Sequence, residues 1–426
     1  MIAPSKLTRC SLLSAFWKAA GSLGVVLSLV VATPIVAAGT PAVESTDATA
    51  WPQDRDFLTA RAAFERRDLK ALQEINQRLK ASASAHPLTP YVRAWWLSAN
   101  LAQSASFAIT QNEDFVTFLA ANPDTPYADN LRKEWLRLLG QQAAWELFTL
   151  GLNKAALEDP EIACHHWRLR LSQGDQTVYS EARTAWNAAR SAPEACYTVF
   201  ENLVTAKPLT PDEGWQRLRK LLAAGLLNDA RRSAALIKGA PVNFERNTAI
   251  INLDAVRYLE REKLDRRSPA SIELFLFAIT RAARSDARRA AGLLTKRGDA
   301  LPPQDLAYAW NQIGLYAAMQ HDPDALTWFA QGASTTKAIP LTDNQAAWKI
   351  RAALRAADWQ TVRQTIRALP SSEQRDPAWR YWLARALDES DKTTANSLRS
   401  GLAQEPHFYG LLAAEELGTS RAPNWQ

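Results

Sequence analysis

Residues 357–369 read ADWQTVRQTIRAL, an acidic residue followed by small, apolar and basic residues, and this pattern recurs along the chain. Three further segments have it: RDLKALQEINQRL (67–79), SDARRAAGLLTKR (285–297) and HDPDALTWFAQGA (321–333). Asp is a favoured helix N-cap because its carboxylate accepts hydrogen bonds from the first turn, and Pro323 fits the first helical position after Asp322. Each segment is therefore predicted to be the second helix of a helical hairpin.

Three of these acidic residues and a fourth one further along, Asp391, are regularly spaced. Intervals of 36, 36 and 33 residues separate the four anchors Asp286, Asp322, Asp358 and Asp391. This is the size of one helix-turn-helix repeat. Gly is scarce, with 16 residues in 426, and runs of alternating β-branched residues are almost absent. The predicted fold class is all-α, an α-superhelix in which helix-turn-helix pairs of about 33–36 residues form a solenoid.

The N-terminus has the features of a secretory signal peptide. Three basic residues precede an apolar run at 23–31, and small residues follow at 36–38. An uncleaved membrane anchor is the alternative; after cleavage no membrane segment is expected. The predicted domains are a signal peptide (1–38), a flexible segment (39–50), the superhelical domain (51–418) and a polar tail (419–426).

The charge of the chain gives little reason to expect a nucleic-acid partner. The formal net charge is +6, and removing Lys6, Arg9 and Lys18 with the signal peptide lowers it to +3. No dense cluster of Lys and Arg with interleaved aromatic residues is present. We therefore expect no nucleic-acid binding.

Two cysteines, Cys164 and Cys196, remain after the signal peptide. In an oxidising compartment disulfides persist, so an even pair favours a bond between them. Two buried free thiols are the alternative, because spacing alone does not fix the geometry.

The sequence contains 16 tryptophans. The first interpretation is that they fill gaps between irregular helix pairs; the second is that some of them stack on sugars along a groove. The aromatic residues that are candidates for stacking on glycan are Trp95, Trp96, Trp379, Tyr381 and Trp382.

Motifs for metal, cofactor or nucleophilic chemistry are missing from the sequence. Of the five histidines, the adjacent pair His165 and His166 points about 100° apart on a helix, and no HExxH motif occurs. No P-loop, dinucleotide fingerprint or GxSxG motif occurs either. We expect no metal, no cofactor and no catalytic residue in this chain.

Two adjacent acids, Glu415 and Glu416, lie in HFYGLLAAEELG (407–418). Consecutive helical residues diverge by about 100°, so these carboxylates cannot aim at one glycosidic bond as a pair. They are interpreted as a solvated pair near the end of a helix that Gly418 closes at its C′ position.

From about Trp348 onwards the chain resembles the soluble lytic transglycosylases. Three segments carry the resemblance in the family's order: RAALRAADWQTVRQTIRALP (351–370), WRYWLARAL (379–387) and HFYGLLAAEELG. Upstream, LTPDEGWQRLRKLLAAG (209–225) and the placement of the two cysteines look like the same family's superhelical domain, so the resemblance covers most of the mature chain.

The resemblance implies a U-shaped α-superhelix in a periplasmic protein that contacts peptidoglycan glycan strands. In that family a linker domain and a lysozyme-like catalytic domain follow the superhelix, and cleavage without water leaves 1,6-anhydro ends. The family's Glu-Ser, Gly-Leu-Met-Gln and Ala-Tyr-Asn-Ala-Gly motifs do not occur here. Whether the chain is itself an enzyme stays open, and so does whether it is part of a longer enzyme or a dedicated non-catalytic protein.

The residues expected to face the linker and catalytic domains are His407, Phe408, Tyr409, Glu415 and Glu416. The alternative function is a periplasmic helical-repeat scaffold that binds a protein partner, for example another cell-wall enzyme.

Overall fold

The computed structural model describes residues 54–82, 86–206, 209–240, 243–336 and 339–419, and all regular structure in these ranges is helical. The predicted all-α fold class is confirmed. The predicted signal peptide, the segment 39–50 and all of the polar tail except Thr419 lie outside the described residues. Within the described ranges, every helix is too short or too polar to cross a lipid bilayer.

The described ranges contain 24 α-helices, and two short 3₁₀ turns at Ala156–Glu158 and Gly298–Ala300. In chain order the α-helices are α1 (Asp54–Arg66), α2 (Leu69–Ala81), α3 (Thr89–Gln103), α4 (Phe107–Thr110), α5 (Asn112–Ala121), α6 (Pro126–Gln141), α7 (Trp145–Gly151), α8 (Pro160–Ser172), α9 (Val178–Ala188), α10 (Glu194–Ala206), α11 (Pro211–Ala223), α12 (Leu227–Ala235), α13 (Phe244–Leu253), α14 (Ala255–Arg261), α15 (Pro269–Ser285), α16 (Ala287–Arg297), α17 (Pro303–Met319), α18 (Ala325–Ala333), α19 (Asp343–Arg355), α20 (Trp359–Arg367), α21 (Ser371–Gln374), α22 (Pro377–Leu387), α23 (Lys392–Leu402) and α24 (Phe408–Glu416).

The helices pack mainly against helices that are close to them in the chain. Helix α19, for example, contacts α17 and α18 before it and α20 after it. The extensive contacts elsewhere join helices that are at most four places apart in the order. This pattern is that of a solenoid, in which each hairpin buries its apolar face against its neighbours.

Many hairpins reverse direction over one to three residues. At the turn between α19 and α20, Ala357 has a positive φ of 52°. The next amide, that of Asp358, donates to the carbonyl of Ala353 over 2.9 Å, which closes α19 in a Schellman motif. The carboxylate of Asp358 accepts from the amide of Thr361 over 3.0 Å, which starts α20. One aspartate therefore ends one helix and caps the next.

Asp286 makes the same connection without a left-handed residue. Its amide donates to the carbonyl of Ala282 at the end of α15, and its carboxylate accepts from the amide of Arg289 in α16 over 2.9 Å. The predicted caps Asp68, Asp286, Asp358 and Asp391 are confirmed.

The predicted cap at Asp322 is wrong. Its carboxylate accepts from the amide of Asp324 over 2.9 Å, and α18 begins only at Ala325. The reason is an extra turn, in which the amide of Ala325 donates to the carbonyl of Asp322 before the helix starts. Pro323 therefore precedes the helix instead of occupying its first position.

The predicted bond between Cys164 and Cys196 is present and joins α8 to α10. Both residues are buried, beside Trp186, Tyr197 and Phe200. The two cysteines are 32 positions apart, so the bond closes one repeat-sized loop in the unfolded chain.

We predict that replacing both cysteines (Cys164→Ala with Cys196→Ala) lowers the free energy of unfolding by about 3–4 kcal/mol, because the unfolded chain regains the entropy of that loop. Urea unfolding followed by circular dichroism measures this. The unmodified protein under a reductant serves as the control and should unfold at the same midpoint as the variant. A variant whose midpoint equals that of the oxidised protein would contradict the prediction.

Candidate functional site

The three C-terminal helices α22, α23 and α24 carry most of the residues that the sequence singles out. At the end of α24, the carboxylate of Glu416 accepts hydrogen bonds from the hydroxyl of Tyr381 (2.7 Å) and from the guanidinium groups of Arg385 (2.9 Å) and Arg399 (2.7 Å). Arg399 also donates to Asp388 over 2.6 Å. We call these five residues the Glu416 cluster.

The Glu416 cluster holds three helices in one register. Tyr381 and Arg385 lie on α22, Arg399 on α23 and Glu416 on α24. The side chain of Arg399 is only 8% exposed, so its two carboxylate partners satisfy a charge that would otherwise be buried unpaired. The end of the solenoid is thus fixed by directional polar contacts as well as by apolar packing.

The environment of Glu416 favours its ionised form. Burial alone would raise the pKa of Glu416, but hydrogen bonds from Tyr381 and Arg399 and the charges of Arg385 and Arg399 outweigh burial and lower it. A general acid in glycoside cleavage needs the opposite, a raised pKa. The surroundings of Glu416 are therefore not those of a general acid.

Both Glu415 and Glu416 are exposed residues, but the side chain of Glu416 is 27% accessible and accepts from three donors on other helices. The interpretation of the two acids as a solvated pair therefore describes Glu415, and it describes Glu416 only in part. The predicted helix end is confirmed: Gly418 has a positive φ of 67° and follows the last turn of α24.

His407 begins α24 as its N-cap. The amide of Gly410 donates to Nδ1 over 3.0 Å, so Nδ1 carries no proton and Nε2 donates to Glu405 over 2.8 Å. Arg380 of α22 also donates to Glu405, over 2.6 Å. Only glycine fits at position 410, since a Cβ there would lie 2.1 Å from the carbonyl oxygen of Glu405.

Helix α24, which the His407 cap and the Glu416 cluster hold in place, exposes apolar side chains to solvent. Phe408 is 66% exposed and Leu411 is 45% exposed. Tyr409 turns inward and packs against Tyr381, with ring centroids 5.5 Å apart. Of the five residues expected at an interface, Phe408 and Glu415 are therefore accessible, while the others mainly hold α24 in place.

The candidates for glycan stacking lie among other side chains. Trp379 and Tyr381 are buried, so neither offers a free face to a sugar. Trp95 stacks on Phe64 at 5.8 Å, the guanidinium of Arg93 covers Trp96 at 4.5 Å, and Trp382 packs edge-on against Tyr381. None of the 13 tryptophans in the described ranges is exposed, which favours the gap-filling interpretation.

Of the two adjacent histidines, His165 has a packing role. His165 is buried in α8, and its ring occupies the space above Gly140, where a Cβ would come within 2.3 Å. Burial, assisted by the charge of Arg168, lowers the pKa of His165. No group of His, Cys, Asp and Glu in the described part of the chain is arranged to hold a metal ion.

The structure also contains a buried ion cluster that the sequence did not predict. Arg219 of α11 donates to Glu273 of α15 over 2.6 Å and to Asp305 of α17 over 2.7 Å. Burial opposes the charge on Arg219, but the attraction of Glu273 and Asp305 is larger and raises its pKa. The partners are 54 and 86 positions away, beyond the range of any local pattern.

Solved structures with a similar fold are lytic transglycosylases. An inactive mutant of lytic transglycosylase Slt from Pseudomonas aeruginosa is 25% identical with a TM-score of 0.56, and the match covers 86% of this chain and 58% of that one. The 70 kDa soluble lytic transglycosylase from Escherichia coli is 18% identical with a TM-score of 0.51, and the match covers 87% of this chain and 60% of that one. The predicted resemblance is confirmed. The chain spans about three fifths of the length of these proteins.

Comparison with protein-family models gives no match, and neither does comparison with the curated proteins.

We predict that Glu416→Gln lowers the free energy of unfolding at neutral pH by about 2 kcal/mol, because buried Arg399 loses a charged partner. The folded-state pKa of Glu416 lies below its unfolded value, so its contribution is present above the unfolded pKa and is lost as the pH falls through the folded one. The difference between the variant and the unmodified protein should therefore shrink in acid.

The matched control is Glu415→Gln, which removes the neighbouring exposed charge. Urea unfolding of both variants at neutral and at acidic pH makes the comparison. Equal losses in the two variants, or a Glu416→Gln loss that is independent of pH, would contradict the structural role of Glu416.

Proposed function

We propose that this chain is the exported superhelical arm of a lytic transglycosylase that acts on peptidoglycan. The observation that carries the proposal is the likeness to Slt from Pseudomonas aeruginosa, which extends over 86% of this chain at 25% identity. The resemblance of three C-terminal segments, in the family's order, supports the same assignment. The reaction would be the family's cleavage of glycan strands, which leaves 1,6-anhydro ends.

In this proposal the arm positions the polymer and a lysozyme-like catalytic domain cleaves it. Glu416 is engaged by Tyr381, Arg385 and Arg399, and Glu415 lies on the exposed side of the same helix. Neither carboxylate has the surroundings of a catalytic acid. The chain itself is therefore proposed to be non-catalytic.

The exposed side of α24 is the proposed contact for the catalytic domain. Phe408 and Leu411 project from a helix that the His407 cap and the Glu416 cluster hold rigidly. Exposed apolar side chains on a fixed support are typical of a docking surface.

The proposed compartment is the periplasm. The N-terminal segment has the pattern of a signal peptide, and the bond between Cys164 and Cys196 suits an oxidising environment.

The second candidate function is a periplasmic scaffold that binds a protein. The observation that favours it is the same pair of exposed apolar residues, Phe408 and Leu411, since a protein partner could cover them. No tryptophan in the described ranges is fully exposed, and this finding also favours a protein partner.

We predict that the purified protein sediments with bare peptidoglycan sacculi and releases no 1,6-anhydro muropeptides from them, because it binds the polymer without cleaving it. Sedimentation followed by mass spectrometry of the supernatant measures both results. Sacculi digested to soluble fragments provide the control, since the protein should then stay in solution.

Two outcomes would contradict this prediction. Release of anhydro products that Glu416→Gln or Glu415→Gln abolishes would make the chain catalytic. Failure to sediment, together with recovery of one defined protein partner, would favour the scaffold.

A further inference from the structure

The second helices of two successive hairpins, α18 and α20, stand on either side of α19 and leave a cleft between them. Helix α19 contacts both. Among the described residues, no side-chain hydrogen bond or ion pair joins α18 to α20. The preceding gap, between α16 and α18, is bridged by Arg288, which pairs with Asp322 and Asp324 at 2.7 Å each. The α18–α20 cleft lacks such a bridge.

A cavity of about 400 Å³ occupies the cleft, and Lys349 and Gln364 line it together with Leu326 and Ala330 of α18. A second cavity of about 390 Å³ shares Lys349 and Gln364 but lies on the other side of them, where Leu341 and Leu369 line it instead of α18. Cavities of this size that combine apolar and polar walls can hold small ligands.

Lys349 is the one charged residue that lines the first cavity. In the described part of the chain no carboxylate forms an ion pair with it. The negative charge that acts on Lys349 is that of Asp358. This carboxylate accepts hydrogen bonds from the amide (3.0 Å) and the hydroxyl (2.6 Å) of Thr361 at the cap of α20. Asp343, at the rim of the second cavity, is exposed to water.

The ammonium group of Lys349 is therefore half-buried and outside any ion pair among the described residues, although the charge of Asp358 acts on it from the cap of α20. Burial lowers the pKa of Lys349, and the charge of Asp358 opposes this only in part. A ligand carboxylate could form the direct ion pair with Lys349 that the described residues do not provide. The amide of Gln364 offers both a donor and an acceptor, which matches a peptide group.

We propose that the α18–α20 cleft binds a short peptide that has small side chains and a free terminal carboxylate. The carboxylate pairs with Lys349, a peptide group meets Gln364, and the small side chains rest against Leu326 and Ala330. This site lies on α18, α19 and α20 and shares no residue with the α24 surface proposed to contact the catalytic domain.

The test uses the whole protein and two forms of one probe, N-acetyl-trialanine with a free carboxylate and the same peptide as its terminal amide. Saturation-transfer NMR gives the affinity of each. The free acid should bind, and the amide should bind about tenfold or more weakly, because it lacks the charge that pairs with Lys349. This comparison needs no variant and contains no sugar, so it is independent of the outcome with sacculi.

Variants locate the binding site. Lys349→Met should weaken binding of the free acid about tenfold, while Lys349→Arg should retain most of it. The matched control, Lys392→Met, removes an exposed lysine from the start of α23 and should leave binding unchanged. Absence of binding by the free acid at millimolar concentration, equal binding of the two peptide forms, or full binding in Lys349→Met would overturn the proposal.

Discussion

Each hairpin of this chain can bury its apolar face only against the hairpins next to it, and the rest of the structure depends on this constraint. It requires that successive helices reverse direction in a few residues, so that their small and apolar faces meet. Asp358 meets the requirement by closing α19 with its amide and starting α20 with its carboxylate. Asp286 does the same between α15 and α16. Local capping chemistry thus sets the geometry of the whole array.

Apolar packing alone does not fix the register of stacked helices. At two places, buried charged groups restrict how neighbouring helices can be aligned. Arg219 ties α11 to α15 and α17, and Arg399 with Glu416 ties α22 and α23 to α24. A hydrogen bond to a charged group holds only over a narrow range of distance and angle, so it selects one arrangement. The second of these clusters lies beside the exposed residues of α24 and makes that surface rigid.

The sequence predicted those features that depend on residues close together in the chain. The repeat, four of the five aspartate caps and Gly418 follow from local patterns, whereas the disulfide was favoured by the even number of cysteines and the expected compartment. The prediction that Asp322 caps α18 was wrong because an extra turn precedes the helix, and the sequence HDPD gives no sign of that turn. The partners of Arg219 and Glu416 could not be predicted, because they come from other helices and depend on how those helices stack. The burial of Trp379 and Tyr381 depends on packing in the same way.

The measurement that tests the central claim most directly is hydrogen–deuterium exchange of the protein with and without soluble peptidoglycan fragments prepared from sacculi. A superhelical arm that holds glycan should show slower amide exchange within a contiguous set of its helices when the fragments are added. Exchange that is unchanged at saturating fragment concentration would contradict the account and leave the protein-binding scaffold as the better explanation.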